Sequence, residues 1–252
     1  ELTRLGQTLG MECAAFGFNL DFAPVADVRS NPENTVIGDR AYSGDPGRAA
    51  DAAAWVDGGM REAGIISVWK HFPGHGNTAT DSHQALPVVE LSREDWARGD
   101  AVPFRRAVEC GAPAVMAGHI RMTAFDPEYP ASLSHVLVSE VLREELGFTG
   151  VVCTDDLTMG ASSDTYGMGE AAVLAVEAGC DLLLVCHGAD NLTQARQALL
   201  GAVDGGRISP ARLEESVYRI LALKAEYGLT NQTVEAPDVA ALNQAVQALL
   251  GE

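Results

Sequence analysis

Short apolar runs alternate along the chain with segments of helical period. The runs NLDFAPVADV (19–28), GIISVWKHF (64–72), APAVMAGHI (112–120), GVVCTDDL (150–157) and CDLLLVC (180–186) are nearly continuous in apolar character, as expected of strands buried on both faces of a parallel sheet. The intervening segments carry helix punctuation. Ser92 with Asp95 three residues on is a variant of the capping box, Ser134 precedes VLVSEVLREELG with Gly147 at the C′ position, and Ser209-Pro210 opens a helix that closes at Gly228. The opening ELTRLGQTLGMECAAFG reads as an amphipathic helix, and 230–252 as a turn followed by a helix with a polar face. This β-α order requires right-handed crossovers and a parallel sheet, either open and doubly wound or closed into a barrel. No repeat or low-complexity linker interrupts it, so residues 1–252 are expected to form a single domain.

Composition narrows the partners. The 252 residues carry 17 basic and 35 acidic side chains, a formal charge of −18, which repels a phosphate backbone and excludes nucleic acid as a natural partner. The 47% hydrophobic content supplies a sizeable core, and no apolar run is long enough to span a membrane. The five cysteines, Cys13, Cys110, Cys153, Cys180 and Cys186, are scattered through apolar stretches without disulfide-scaffold or zinc spacing, so they read as reduced core thiols. A cytoplasmic location is the expectation. The glycine-rich stretches at 167–171 and 203–206 lack the setting of a dinucleotide or phosphate fingerprint and read as turns.

The residues capable of chemistry fall at the carboxyl ends of the expected strands. Asp27 ends the first, Lys70 and His71 the second, His119 the third and Asp155-Asp156 the fourth, and His187 follows the fifth. In a barrel that edge is one mouth; in an open sheet it is a crevice. The segment from Lys70 to His83 gathers one Lys, three His (His71, His75, His83) and Asp81, half of the six histidines in the chain. Three readings stand side by side: a metal site of His71, His75, Asp81 and His83; a polar loop of satisfied histidines; and an acid/base dyad in which Asp81 orients His83 and favours its charged form. Adjacent strand residues point oppositely, so one of Asp155 and Asp156 should face the mouth while the other turns into structure, capping the next helix. An inward Asp155 is a candidate nucleophile for a sugar's anomeric carbon. His119 reads equally as ligand-lining or as a satisfied core histidine, and Trp69 as packing outward against a helix while Lys70 enters the mouth.

Four motifs in register, NLDFAPVADV, VIGDRAYSGDP, KHFPGHG-x4-DSH and TDDLTMGA, resemble those of the bacterial β-N-acetylglucosaminidases of glycoside hydrolase family 3, of the NagZ type, over about residues 5–228. The resemblance implies a TIM (β/α)8-type barrel. It implies Asp155 as the nucleophile, His83 as general acid/base with Asp81 as its partner, and Arg40, Lys70 and His71 as sugar-binding residues. It implies a retaining exo-β-N-acetylglucosaminidase that needs no cofactor and no metal and acts on muropeptide-like peptidoglycan fragments. The family's Asp-Gln-Glu-Gly-Gly-Arg segment is not in the sequence, from which the first two β/α units of the barrel are expected to be absent. A silent sugar-binding relative, another β-glycosidase and a glycoside phosphorylase are the alternatives.

Overall fold

The computed structural model describes residues 1–78 and 86–251. All five expected strands are present: β1 (Leu20–Asp21), β2 (Ile66–Phe72), β4 (Ala114–Ala117), β6 (Val151–Asp156) and β7 (Leu182–Leu184), joined in the order β1-β2-β4-β6-β7 with every pairing parallel. A separate two-residue pair, β3 (Val88–Val89) with β5 (Arg121–Met122), is also parallel. The architecture is an α/β fold whose parallel sheet curls as a half-barrel. Only two residues of the 19–28 run count as strand, because Pro24 brings no N–H to the ladder. The rest still tracks β2: Val68 and Lys70 donate to the carbonyls of Ala23 and Pro24, and Ala26 donates to that of Lys70.

The helices are α1 (Leu2–Ala15), α2 (Pro46–Glu62), α3 (Arg93–Arg98), α4 (Ala101–Glu109), α5 (Gly160–Tyr166), α6 (Met168–Ala178), α7 (Ala189–Asp204), α8 (Pro210–Glu226) and α9 (Val239–Leu250). The expected caps hold. Ser92 Oγ accepts the Asp95 N–H and donates to its carboxylate, and Ser209 Oγ accepts the Arg212 N–H ahead of Pro210. Ser134 accepts the Leu137 N–H at the start of the VLVSEVLREE segment, which winds as a π-helix over Val136–Glu145. The 167–171 stretch corrects the sequence reading, since only Gly167 stands outside and the rest is the first turn of α6.

The sheet separates two apolar clusters by side-chain parity. Trp69, Val115, Ala117 and Val152 face a large cluster with Phe104 of α4, Leu137 and Leu142 of the π-helix, and Ala171 and Ala175 of α6. Val68, Ala114, Met116, Val151 and Cys153 face a smaller cluster with Leu20, Phe22, Leu182 and Leu184, partly covered by Ile220 and Leu223 of α8. Trp69 packs outward as expected, and its Nε1–H donates to the buried Asp57 of α2, which also accepts from Ser67. Among the five cysteines, all free, Cys153 and Cys180 are buried but Cys186 is exposed at the end of the last strand. It departs from the core-thiol expectation.

The amino end of β6 is fixed by a buried carboxylate. Asp181 accepts the Val152 N–H at 3.0 Å and the Ser216 hydroxyl at 2.7 Å, and meets Arg143 at 2.6 Å, Arg219 at 3.1 Å and Arg212 at 3.7 Å, with none of its side chain exposed. Removing one partner of such a cluster leaves desolvated charge behind. Asp181→Ala is therefore expected to lower unfolding free energy in urea by about 3–5 kcal/mol; a loss below about 1 kcal/mol would mean that the three arginines find water instead.

A second buried carboxyl lies under the loop after β2. Asp100, just before α4, is 3% exposed, and among the described residues its Oδ1 has no hydrogen-bond partner. Burial, helped by the charge of Asp27, pushes it up from 3.8 to about 7. The folded state holds this proton more tightly than the unfolded chain. Asp100 thus supports the fold fully below pH 3.8 and loses that support as the pH rises to about 7, a change on the order of 4 kcal/mol at about 1.4 kcal/mol per tenfold change in proton affinity. Asp100→Asn, which cannot ionise, should gain stability relative to the parent between pH 4 and pH 7.5 in paired urea titrations, and a difference independent of pH would contradict this.

Candidate active site

Strand parity brings the first two candidate residues together. On β2 Lys70 shares its face with Val68, and on β6 Asp155 shares its face with Cys153 and Val151; Val68, Cys153 and Val151 all belong to the smaller cluster. Lys70 and Asp155 therefore rise from one face at the carboxyl edge of the sheet, separated by one strand and so by roughly 10 Å of sheet width. Burial pulls the Lys70 ammonium below its ordinary value, the like charge of Arg40 adds to the shift, and Asp155, Asp21 and Asp27 oppose it. These charges share one neighbourhood. Arg40 sits in a 3-10 turn, Gly38–Arg40, where its Nε and Nη2 donate to the Val36 carbonyl at 3.2 and 2.8 Å.

The adjacent acids divide as alternation requires. Asp156 is committed to structure: its carboxylate accepts the Thr158 N–H and hydroxyl and the Cys186 N–H at 3.0 Å, and is held below the usual carboxylate range by these bonds and by His187, against the opposing effect of burial. Its partners lie in the turn before α5 and at the end of β7, so it braces the strand tips. Asp155 is half-buried, and among the described residues its carboxylate accepts one hydrogen bond, from the Asp156 N–H at 2.8 Å. His119 resolves as a satisfied core histidine. It is fully buried, with Nδ1 2.7 Å from the Ser132 hydroxyl and Nε2 2.9 Å from the Asp156 carbonyl, and burial holds its proton affinity below the ordinary value. His187 is exposed, 3.8 Å from Asp156.

The loop after β2 is fastened from below. Asp27, with none of its surface exposed, accepts the His71 N–H at 3.2 Å and the His75 N–H at 2.6 Å on Oδ1, and meets His71 Nδ1 at 2.8 Å on Oδ2. Burial works against its charge, yet His71 and His75 together hold it below the usual carboxylate range. Asn34 Nδ2 donates to the His75 carbonyl at 2.7 Å and to the Thr78 hydroxyl, which in turn meets His75 Nδ1 at 2.8 Å. Trp96 Nε1–H donates to the Pro73 carbonyl. The two glycines of KHFPGHG have steric reasons. Gly74 has φ +126° and its Cβ would collide with Asp100, and a Cβ on Gly76 would overlap the Val28 carbonyl oxygen.

Of the six site residues expected from sequence, Lys70, His71, Arg40 and Asp155 gather at this edge, while Asp81 and His83 lie outside the described residues. Of the four candidate metal donors, His71 and His75 already have Nδ1 engaged with Asp27 and Thr78; the other two are again Asp81 and His83. Sequence reasoning placed Asp27 at a strand end without a role and missed Asn34, Thr78 and Asp100. A strand-end Asp inside an apolar run was the available signal for Asp27. Asn34, in a stretch without period, gave none. A cavity of about 550 Å³ lined by Arg61, Glu62, Gly64 and Tyr227 lies toward the amino end of β2, away from this chemistry.

Comparison with known proteins identifies the family. Residues 1–223 match the sequence profile of the Glycosyl hydrolase family 3 N terminal domain. The Beta-hexosaminidase of Nitrosomonas eutropha is 32% identical over 246 residues, covering 96% of this chain and 70% of its own length. That of Alkalilimnicola ehrlichii is 42% identical over 184 residues, covering 73% and 52%. A glycoside hydrolase family 3 β-N-acetylglucosaminidase from Paenibacillus sp. str. FPU-7 superposes with a TM-score of 0.91 at 41% identity, over 98% of this chain and 48% of that one. A β-glucoside phosphorylase, BglX, superposes with a TM-score of 0.88 at 30% identity, over 96% and 45%. The chain thus spans from 45% to 70% of the length of these relatives. With the profile matched over most of its length and the strand-edge motifs assembled on one side of the sheet, the chain belongs to the glycoside hydrolase family 3 N-terminal domain family.

Proposed function

We propose that this chain carries the catalytic centre of a retaining exo-β-N-acetylglucosaminidase that removes terminal N-acetylglucosamine from peptidoglycan fragments. The observation that carries the reading is the parity of the strand tips: Asp155 and Lys70 rise from one face while Asp156 is spent on structure. In the proposed double displacement the Asp155 carboxylate attacks the anomeric carbon. The glycosidic C–O bond breaks, and the departing oxygen takes a proton from the imidazolium of His83, whose partner is Asp81. Neutral His83 then removes a proton from water, whose oxygen attacks the same carbon and releases Asp155 as carboxylate. Lys70, His71 and Arg40 hold the sugar hydroxyls. A histidine suits the acid/base role because an ordinary imidazole titrates at about 6.5, without the large burial-driven shift a carboxylic acid needs.

The finer architectural and cellular readings belong to the same proposal. They are a TIM (β/α)8-type barrel to which 1–252 contributes as one catalytic domain, and a cytoplasmic role on muropeptide-like substrates. No helix among the described residues is long and apolar enough to cross a membrane. The likeness to a β-glucoside phosphorylase supports a second reading. In it, phosphate oxygen takes the place of water in attacking the glycosyl–Asp155 ester, and the product is a sugar phosphate.

Asp155→Asn should bring release of the chromophore from an aryl β-N-acetylglucosaminide down to background without loss of the folded-state circular dichroism. His83→Ala should lower turnover by about 10²–10⁴-fold. Unchanged turnover in either variant would remove its residue from the mechanism. Product analysis in buffers with and without phosphate separates hydrolysis from phosphorolysis: free sugar in both is the expected result, and sugar phosphate formed only with phosphate favours the second reading.

A further inference from the structure

We propose that Asp27 is a positioning residue that fixes the His71 ring with its proton on Nδ1, leaving Nε2 as the nitrogen that meets a sugar hydroxyl. This deepens the proposed function and rests on it for the sugar. The assignment of the proton rests on this geometry together with the ionised state of Asp27, which His71 and His75 favour against its burial. Asp27 is wholly buried, and among the described residues its three bonds all come from N–H groups of one loop stem: the two backbone N–H groups on Oδ1, and His71 Nδ1 at 2.8 Å on Oδ2. An ionised carboxylate only accepts, so Nδ1 must donate. Among the described residues His71 Nε2 makes no hydrogen bond, whereas Nδ1 of the same ring is taken. In the neutral ring Nε2 is then an acceptor, and a sugar O–H is its natural donor.

The two backbone donors also dictate what an amide would do in place of the carboxylate. Both N–H groups converge on Oδ1, so the side chain introduced by Asp27→Asn must keep its carbonyl oxygen there and put its NH2 at the Oδ2 position, against Nδ1. That NH2 can only donate. His71 would have to accept on Nδ1 and carry its proton on Nε2, so the sugar would meet a donor where it had met an acceptor. The shape of the site and two of three bonds survive; the tautomer is reversed. This separates positioning from mere support of the fold.

Nitrogen-15 NMR of the parent protein is the first test. His71 Nδ1 should give the shift of a protonated ring nitrogen, and a proton found on Nε2 instead would overturn the assignment whether or not Asp27→Asn folds. In Asp27→Asn the pattern should invert, with kcat/KM for the aryl N-acetylglucosaminide falling about 10–100-fold, as for other partners that orient a ligating histidine. Full activity in a variant whose tautomer has inverted would equally refute the proposal. His71→Ala supplies the control for a structural role. If Asp27 acts through the ring, Asp27→Asn should cost less than about twofold more in that background, whereas an effect carried by the His75 backbone bond would persist there in full. The NMR readout needs no substrate, so failure of the glycosidase reading, seen as no release of chromophore by the parent protein, is distinguishable from failure of this one.

Discussion

The carboxylate of Asp27 is the constraint on which the site depends. It belongs to the 19–28 run, beside the first strand, but among the described residues its hydrogen bonds go to His71 and His75, at the end of the second strand and in the loop beyond. A buried charge without partners costs several kcal/mol, so neither segment can shift without exposing that cost. The backbone follows the same route. Ala26 donates to the Lys70 carbonyl, and the Asn31 N–H donates to the Gly76 carbonyl from the loop that leads on to Arg40. Candidate sugar-binding residues from two parts of the sequence are thus referred to one buried acceptor. The stem from which the chain continues toward Asp81 and His83 is held by the same bonds.

The other half of the site is set by counting residues along β6. Alternation assigns Val152 and Thr154 to the helix side and Val151 and Cys153 to the smaller cluster, so Asp155 must emerge on the latter side. The lower end of the strand is clamped by Asp181 and the upper end by Asp156, whose carboxylate accepts from Thr158 and Cys186 while its carbonyl meets His119. A carboxylate on a strand fastened at both ends has little freedom to wander, which is the geometric requirement that the proposed displacement places on Asp155. The neighbouring carboxylate is what makes that possible, although it takes no part in the proposed chemistry.

Much of the fold was legible because long-range order here has local signatures. Five apolar runs became five parallel strands, and Ser92, Ser134 and Ser209 accept hydrogen bonds where the capping pattern predicts. Two-residue strands such as Val88–Val89 and Arg121–Met122 carry no period and could not be read. The π-helix over Val136–Glu145 has the same apolar spacing as an α-helix. Glycines misled at 168–171, where Gly169 packs inside α6. In the site, the division of Asp155 from Asp156 followed from alternation, whereas Arg40 came only from motif resemblance, since a residue in a 3-10 turn has no periodic reason to face a strand edge. Asn34 and Asp100 contribute through partners that are distant in sequence, and nothing local announces them.

The histidines illustrate why residue type alone left alternatives open. His71 and His119 both stand at strand ends, both are buried, and either is chemically able to line a ligand site. The number of occupied ring nitrogens tells them apart. An imidazole has two, and once both are paired the ring is saturated and has nothing left to offer a ligand. His119 is in that condition. Nε2 meets a carbonyl and must donate, so in the neutral ring Nδ1 accepts the Ser132 hydroxyl. His71 has one nitrogen spent on Asp27 and, among the described residues, one unspent. A strand-end histidine with a single buried carboxylate partner is therefore an oriented, half-used group. That is the state in which a protein can present an imidazole to a substrate without also leaving it free to turn away.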